Sequence, residues 1–331
     1  MSAPRIVPVV VVLPPRTLLL DVAGPIEVLR RANLIQRSLR FDVTFAGATR
    51  ALRTSIGLSI AGLEPLPKTL PPDAMVIVAG NVDTFIDGSG ATPEDERHEA
   101  SIIDWLRTKI RPGHRLVTIC SGAVLAGRAG LLDGYSCTTH YLNCEELAAL
   151  APQAKVLDNR LYVDDRDRLS SAGITAGIDL MLHVVAQLID HATALAIARY
   201  LVVYLRRSGN DPQLSPWLDG RNHIHPAVHR VQDAIALDPA RPWPARRLAQ
   251  IAGTSPRHLS RLFHEHAGMH LADYRNRLRA ALARELLGQT RLDMERVAER
   301  AGFASTRQLR RVWRTLYDNS PRAARAQSTP A

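Results

Sequence analysis

A cysteine lies where the sequence changes from a strand pattern to a helix pattern. Cys120 follows the apolar run Leu116–Ile119 and precedes Ser121-Gly122, from which a helical pattern continues to Leu132. This is the placement of a nucleophile elbow, with cysteine in place of serine. The positive end of the following helix is expected to lower the pKa of such a thiol and to favour the thiolate. Because most free cysteines are inert, the residues alone favour a buried structural cysteine, with a reactive thiol as the alternative.

Two further groups could complete a site with Cys120. Asp21 follows the first predicted strand, and His140 ends the segment Cys137-Thr-Thr-His140. Because the ends of parallel strands converge along one edge of a sheet, residues this distant in sequence can meet. The spacing of Cys137, His140 and Cys144 also resembles a zinc site, but a fourth ligand is missing. We therefore predict a polar pocket at these residues, without a metal or a cofactor.

A nine-residue pattern occurs twice near the C-terminus. Ser255–Phe263 and Ser305–Trp313 both read Ser-x-Arg-x-Leu-x-Arg followed by two apolar residues. Each copy follows a short helical segment that ends in Ala-Gly, Leu248–Gly253 and Val297–Gly302. A helix, a glycine turn and a second helix with outward arginines form a helix-turn-helix. Two such units in tandem predict sequence-specific binding to double-stranded DNA.

Helical periodicity divides each repeat into an inner and an outer face. The leucines and the two apolar residues that end each copy are spaced i, i+3 and i+4, so they must face the core. On the outer face, arginine can read guanine and glutamine can read adenine in the major groove. The predicted DNA-facing residues are Ser255, Arg257, Ser260, Arg261, Thr306, Arg307, Gln308, Arg310 and Arg311.

Positive charge is concentrated in the same region. Residues 211–331 contain 20 arginines, no lysine and 11 acidic residues, whereas residues 1–210 contain 22 basic and 21 acidic residues. Almost all of the net charge of +10 therefore lies in the last third of the chain. Such a domain attracts the phosphate backbone through counterion release.

The elements that must position Cys120 alternate between strands and helices. This alternation predicts an α/β domain with a mostly parallel sheet covered on both faces. The predicted strands are Val9–Leu13, Phe41–Ala46, Ala74–Ala79 and Leu116–Ile119. The predicted helices are Pro25–Ala32, Ile102–Ile110, Gly122–Leu132 and an almost continuous Ala176–Leu205.

The rest of the chain is predicted to be helical. We expect an α/β domain at 1–205, a linker at 206–226 and an all-α domain with both helix-turn-helix units at 227–331. Leu271–Leu287 reads as one helix between the units. If rigid, it would place the two recognition helices about 34 Å apart, in successive major grooves.

Composition favours a cytoplasmic protein. The chain of 331 residues is 46% hydrophobic and 22% charged, which is typical of soluble globular proteins. It has no apolar run near the length of a membrane span, and its N-terminus does not resemble a signal peptide. Three irregularly spaced cysteines indicate a reducing compartment rather than a disulfide framework.

Three stretches of the first domain resemble the ThiJ/PfpI superfamily, which has a glutamine-amidotransferase-like fold with a flavodoxin-like sheet. These stretches are Cys120–Gly134, Thr138-Thr-His140 and Ser171–Leu180. The tandem repeats resemble the AraC/XylS family of transcription regulators, and the combination resembles its GlxA-like subgroup. In the second repeat, Leu309 and Trp313 stand where phenylalanines are common, and Asp318 stands where glycine is frequent.

The resemblance implies roles for the residues singled out above. Cys120 matches the nucleophile position, His140 its partner histidine and Asp21 the acidic residue that contacts the cysteine. We expect a regulator that senses a small metabolite, often nitrogen-containing in such proteins, and that forms a homodimer through its N-terminal domain. RNA polymerase would be a further partner if the output is activation. The alternative is a cysteine-dependent hydrolase or hydratase acting on a carbon–nitrogen bond, fused to a DNA-binding domain.

Overall fold

The computed structural model describes residues 4–203, 209, 213, 223, 225–317 and 319–328. The chain divides into two compact units, residues 1–213 and residues 214–331. Within the predicted linker, 206–226, only Gly209, Gln213, His223 and residues 225–226 are described. Asp318 also lies outside the described residues.

A seven-stranded sheet forms the centre of the first unit. Its strands run in the order β10-β11-β7-β6-β1-β2-β5, and every pair is parallel except β10 with β11. The predicted mostly parallel sheet is therefore confirmed. The strands are β1 (Arg5–Val12), β2 (Leu39–Gly47), β5 (Glu64–Pro65), β6 (Met75–Val78), β7 (Arg115–Ile119), β10 (Tyr162–Asp165) and β11 (Arg168–Ser171).

Two short strand pairs lie outside this sheet. An antiparallel hairpin is formed by β3 (Ala51–Arg53) and β4 (Ser59–Ala61). A parallel pair is formed by β8 (Ser136–Cys137) and β9 (Lys155–Val156).

Helices cover both faces of the sheet, and each face has its own core. The alternation of β1 shows why, since Val9 and Val11 point into one core and Val10 and Val12 into the other. One face packs against α1 (Leu19–Ile35), α5 (Ala176–Leu188) and α6 (His191–Tyr200). The other packs against α2 (Pro93–Lys109), α3 (Gly122–Arg128) and α4 (Cys144–Leu150).

The structure contradicts the predicted start of one helix and the predicted continuity of another. Pro25 does not open a helix but lies inside α1, because the buried face of α1 already begins before it, at Asp21 and Val22. The predicted continuous helix from Ala176 is interrupted between α5 and α6. There the Asp190 side chain accepts a hydrogen bond from the Thr193 N–H (2.6 Å) and starts a new helix.

The second unit is helical throughout its described residues, as predicted. Its helices are α7 (Pro226–Leu237), α8 (Ala245–Ala252), α9 (Pro256–Ala267), α10 (Leu271–Gln289), α11 (Met294–Arg300), α12 (Thr306–Leu316) and α13 (Pro321–Ser328). The single helix α10 belongs to two cores. Tyr274 and Leu278 pack with α7, α8 and α9, whereas Ala283 and Leu287 pack with α11, α12 and α13. One helix thus joins the two helix-turn-helix units.

Candidate functional site

Cys120 lies at a strained corner between β7 and α3. Its φ of 56° is in the left-handed region, which residues other than glycine rarely adopt. The corner is held by its backbone. The Cys120 N–H donates to the Ser171 carbonyl (3.0 Å), and the Cys120 carbonyl accepts from the Thr139 hydroxyl (2.8 Å). The elbow geometry expected from the sequence is therefore present.

Glycines on two neighbouring segments allow this corner to pack closely. A Cβ on Gly173, whose φ is +83°, would lie 2.1 Å from the Cys120 Cβ. A Cβ on Gly80 would lie 2.5 Å from Asp21 Oδ2 and 2.8 Å from the Cys120 Cβ. No side chain fits at either position without a shift, so both glycines are needed to bring Asp21 to the thiol.

Asp21 is fully buried in the first turn of α1, on the side of Cys120. Its Oδ1 accepts a hydrogen bond from the Ile174 N–H (2.5 Å), and the carboxyl interacts with the Cys120 thiol. Burial raises the pKa of Asp21 to about 6, although the hydrogen bonds from Ile174, Cys120 and Gly80 act in the opposite direction. Asp21 therefore changes charge close to neutral pH.

The expectation of a thiolate was wrong. Burial raises the pKa of the Cys120 thiol well above its ordinary value, and the charge of Asp21 raises it further. A hydrogen bond from the Ser121 backbone acts in the lowering direction but is outweighed. Burial therefore has a larger effect on the pKa of this thiol than the N-terminus of α3. Cys120, which is 5% exposed, is a neutral thiol at neutral pH.

His140 comes near this corner through its neighbour. Thr139 binds the Cys120 carbonyl, whereas the His140 ring is half-buried, stacks on Tyr141 and accepts from the Leu142 N–H at 3.4 Å. Burial lowers the pKa of His140. Within the described part of the chain, no hydrogen bond or ion pair joins the His140 ring to Cys120. Cys120 and Asp21 are therefore paired directly, whereas His140 is connected to this corner only through Thr139.

Two polar residues of this site, Asn81 and Gln213, were not predicted from the sequence. The Ser121 hydroxyl accepts from the Asn81 N–H (2.8 Å) and donates to the Asn81 carbonyl (2.9 Å). The Thr139 carbonyl accepts from the Gln213 side-chain amide at 2.7 Å. Asn81 could have been found, because it follows a predicted strand at the same sheet edge. The role of Gln213 had no local signal.

The predicted DNA-facing residues lie on α9 and α12 or cap them. Leu259 and Phe263 are buried in one core, and Leu309 and Trp313 in the other, as the periodicity predicted. Thr306 and Gln308 are half-exposed. The remaining predicted residues are exposed, namely Ser255, Arg257, Ser260, Arg261, Arg307, Arg310 and Arg311.

Three of the predicted DNA-facing residues, Ser255, Gln308 and Arg261, also make hydrogen bonds within the protein. Ser255 and Ser305 occupy equivalent N-caps, where each hydroxyl accepts a backbone N–H of its helix, from His258 (3.3 Å) and Gln308 (3.2 Å). The Gln308 side-chain oxygen accepts from the Ala304 N–H (2.9 Å). Arg261 contacts the His258 ring at 3.1 Å.

Several arginines of the second unit bind backbone carbonyls of their own unit. Arg230 donates to Ile251 (3.0 Å) and Ala252 (2.9 Å), which end α8. Arg279, only 7% exposed, donates to the carbonyls of Pro239 (2.8 Å) and Arg241 (2.9 Å). These arginines stabilise helix ends and loops, so part of the positive charge is structural.

Histidines cluster at the start of α7. The rings of His223 and His229 are 4.4 Å apart, and those of His225 and His266 are 4.5 Å apart. Among the described residues, no group of three His, Cys, Asp or Glu side chains is placed to hold a metal ion. Nor is any described helix long and apolar enough to cross a membrane.

An α/β unit with a cysteine elbow, joined to two helix-turn-helix units on a shared helix, defines a DNA-binding regulator with a separate sensing domain. Residues 7–187 match the DJ-1/PfpI family, and residues 248–327 match a helix-turn-helix domain. The chain belongs to the DJ-1/PfpI family and, within it, to the HTH-type transcriptional regulators.

Three HTH-type transcriptional regulators are similar to this chain over most of its length. The chain is 29% identical over 310 residues to HTH-type transcriptional regulator GbdR of Pseudomonas aeruginosa (strain UCBPP-PA14), covering 93% of this chain and 81% of the relative. It is 30% identical over 305 residues to HTH-type transcriptional regulator CdhR of Pseudomonas aeruginosa (91% and 86%). It is 28% identical over 311 residues to HTH-type transcriptional regulator GlxA of Rhizobium meliloti (94% and 93%). The protein is thus a DNA-binding transcription regulator, like these relatives.

Proposed function

We propose that this protein is a cytoplasmic regulator that senses a small nitrogen-containing metabolite beside Cys120, Asp21 and His140. The observation that carries the proposal is that the Cys120 thiol and the Asp21 carboxyl group are paired and buried at one corner. A neutral, buried thiol is a poor nucleophile, because the thiolate is the reactive form. A carboxyl group whose pKa is about 6 can instead bind a ligand amine as its carboxylate. This favours recognition over catalysis at the same residues.

The contact between Thr139 and Gln213 supports a route from this site to the end of the first unit. Thr139 binds the Cys120 carbonyl through its hydroxyl and the Gln213 amide through its own carbonyl. A ligand that moves Thr139 would also move Gln213, the last residue of the first unit. The ligand would thereby shift an existing equilibrium between arrangements of the DNA-binding units.

The second unit would read an asymmetric DNA site. Because α10 contributes to both cores, α9 and α12 belong to one unit and would enter successive major grooves. The exposed side chains of α9 and α12 would contact bases and phosphates, with RNA polymerase as a further partner where the output is activation.

A homodimer through the first unit would present two such DNA-binding units. This part rests on the family resemblance. Light scattering at micromolar concentration should give twice the chain mass of 36.4 kDa. A mass of one chain under these conditions contradicts the dimer.

The deciding experiment uses the full chain and a panel of amines and amino acids. A DNA site is first selected from random duplexes, and each compound is then tested for a change in melting temperature and in DNA affinity. We expect one class of compound to change both and to be recovered unchanged. Cys120→Ala should keep the basal DNA affinity and alter the response. Consumption of the compound only when Cys120 is present would instead establish the enzyme.

A further inference from the structure

A cavity lies along the sheet edge at the ends of β1 and β2. Its volume is about 240 Å³, and none of Cys120, Asp21 and His140 lines it. Pockets for drug-sized ligands usually measure about 300–1,000 Å³, so this one suits a smaller metabolite. Its wall combines charged and apolar side chains, including Arg16, Leu52, Arg53, Phe85, Glu94 and Asp95.

Arg16 provides a buried cation with one unused nitrogen. Its side chain is only 6% exposed, and its backbone has a φ of 58°. Nε donates to the Val82 carbonyl (2.7 Å), and Nη2 donates to Glu99 (3.4 Å). Nη1 has no hydrogen-bond partner among the described residues. A buried N–H without a partner is costly, and a guest with an acceptor would remove that cost.

The carboxylate nearest to Nη1 is engaged elsewhere. Asp95 Oδ2 lies 3.6 Å from Nη1, beyond hydrogen-bond distance. The same oxygen accepts the N–H and the hydroxyl of Thr92, both at 2.9 Å, in the capping box of α2. Asp95 thus forms an ion pair with Nη1 at a distance too long for a good hydrogen bond, so Nη1 can still donate to another acceptor.

The rim of the cavity has the opposite charge. Glu94 is 69% exposed, and its Oε1 lies 3.9 Å from the ring Nε2 of His98. Arg53 does not neutralise Glu94, because its guanidinium is bound to Asp87 (2.8 Å) and lies over the Phe85 ring. The cavity is therefore lined by a buried donor, an exposed carboxylate and apolar side chains that include Leu52 and Phe85.

We infer that this cavity binds a small zwitterion, an aliphatic amino acid whose carboxylate binds Arg16 Nη1 and whose ammonium group binds Glu94. The site goes beyond the proposed function, since it involves none of the residues proposed to sense the metabolite at the elbow. Charged hydrogen bonds of both signs would fix the orientation of the guest. A ligand that has only a carboxylate or only an amine would bind Arg16 or Glu94 but not both.

A chain of hydrogen bonds connects this cavity to the cysteine corner. Glu99 Oε2 accepts from Arg16 and also from the Asn81 side chain (3.1 Å). Asn81 in turn exchanges backbone hydrogen bonds with the Ser121 hydroxyl, next to Cys120. A guest that draws Arg16 towards itself therefore acts on residues that support the elbow.

Calorimetric titration of the full chain tests this site. The probes are glycine, β-alanine, 4-aminobutyrate and 5-aminovalerate, with butyrate and butylamine as single-charge controls. We expect at least one amino acid of the series to bind saturably, and at least tenfold more tightly than either control. If none of the four binds at 10 mM, or if butyrate binds equally well, the proposal is overturned.

A matched pair of variants locates the binding. Glu94→Gln should weaken the best probe at least tenfold, whereas Glu96→Gln removes the same charge from an exposed position of the same helix turn and should weaken it less than twofold. Equal effects of the two variants overturn the site. Arg16→Lys keeps the positive charge but replaces the guanidinium group with a single ammonium nitrogen. It should also weaken binding of the best probe tenfold. If that variant does not fold, the glutamate pair still decides.

The same titration separates this site from the elbow. Loss of binding in Cys120→Ala, with full binding in Glu94→Gln, would place the amino acid at Cys120. That result overturns the second site while supporting the proposed function.

Discussion

At the scale of single residues, the chemistry of the elbow is decided by protonation. Cys120 and Asp21 share one buried corner, and burial disfavours the charged form of both. Position after a strand and before a helix suggested that the pKa of the thiol could be lowered. Desolvation and the neighbouring carboxyl group reverse that expectation, and they leave Asp21 as the group that changes charge close to neutral pH.

The raised pKa of Asp21 makes stability depend on pH. The folded protein binds the proton more tightly than the unfolded chain, so this stabilisation is complete below the ordinary pKa of 3.8 and is lost as pH rises through about 6. A shift of roughly two units corresponds to about 3 kcal/mol.

Asp21→Asn should remove this dependence. Melting temperatures of both proteins between pH 4 and pH 7.5 measure the difference. The variant should gain stability relative to the native chain as pH rises and reach a plateau above pH 7. Parallel pH profiles for the two proteins would contradict the assignment.

At the scale of elements, the turn between β11 and α5 holds the corner in place. Gly173 combines a left-handed backbone with a contact against Cys120 that no Cβ can share. Gly173 lies in Ser171–Leu180, one of the stretches that resemble the ThiJ/PfpI superfamily. Its contact with Cys120, which follows β7, became clear only from the packing of the two strands. The reason is that β11 and β7 are distant in sequence but adjacent in the sheet.

Gly173→Ala should therefore destabilise the protein more than an equivalent change elsewhere. Gly130→Ala is the matched control, because its φ is also left-handed (+73°) but no atom lies within 4 Å of its Cβ position. We expect the control to cost about 1 kcal/mol for backbone strain. Gly173→Ala adds overpacking of about 1–3 kcal/mol. Equal shifts of the urea midpoint would show that the contact with Cys120 relaxes freely.

The recognition helices offer a second test at this scale. Arg311 is exposed on α12, and Arg296 is exposed on α11 beside Glu299. If Arg311 reads a base, Arg311→Ala should cost about 1–3 kcal/mol on the selected site and lower the preference for it over scrambled DNA. Arg296→Ala loses the same charge and should keep that preference. Fluorescence anisotropy with both duplexes measures it, and an unchanged preference in Arg311→Ala removes the residue from base reading.

At the scale of the whole molecule, charge is segregated between the two units. The first unit is almost neutral, whereas the second contains most of the net charge of +10. Not all of that charge can bind phosphate, because arginines such as Arg230 and Arg279 bind carbonyls within the unit.

Salt should weaken DNA binding steeply as a result. For about six phosphate contacts, affinity for unselected DNA falls by about a thousandfold between 50 and 200 mM salt. Titrations of the full chain at several salt concentrations give the number of contacts from the slope. A slope near zero would contradict binding through the DNA backbone, and a slope well below the arginine count would reflect the structural arginines.

Local patterns in the sequence were enough to predict the two-domain organisation, the mostly parallel sheet, the tandem helix-turn-helix units and the elbow at Cys120. These features depend on periodicity, turn residues and spacing, which are properties of neighbouring residues. The helix interruption before Asp190 and the internal Pro25 were missed, because capping and packing outweighed the local pattern.

Only the tertiary structure decided the chemistry of the residues. It buried Asp21 against Cys120, turned Arg279 inward, and brought Arg16 and Glu94 to one cavity although they are distant in sequence. The physical reason is that pKa, hydrogen-bond satisfaction and cavity shape depend on desolvation by distant segments. Those segments meet only when the sheet and its helices have packed together.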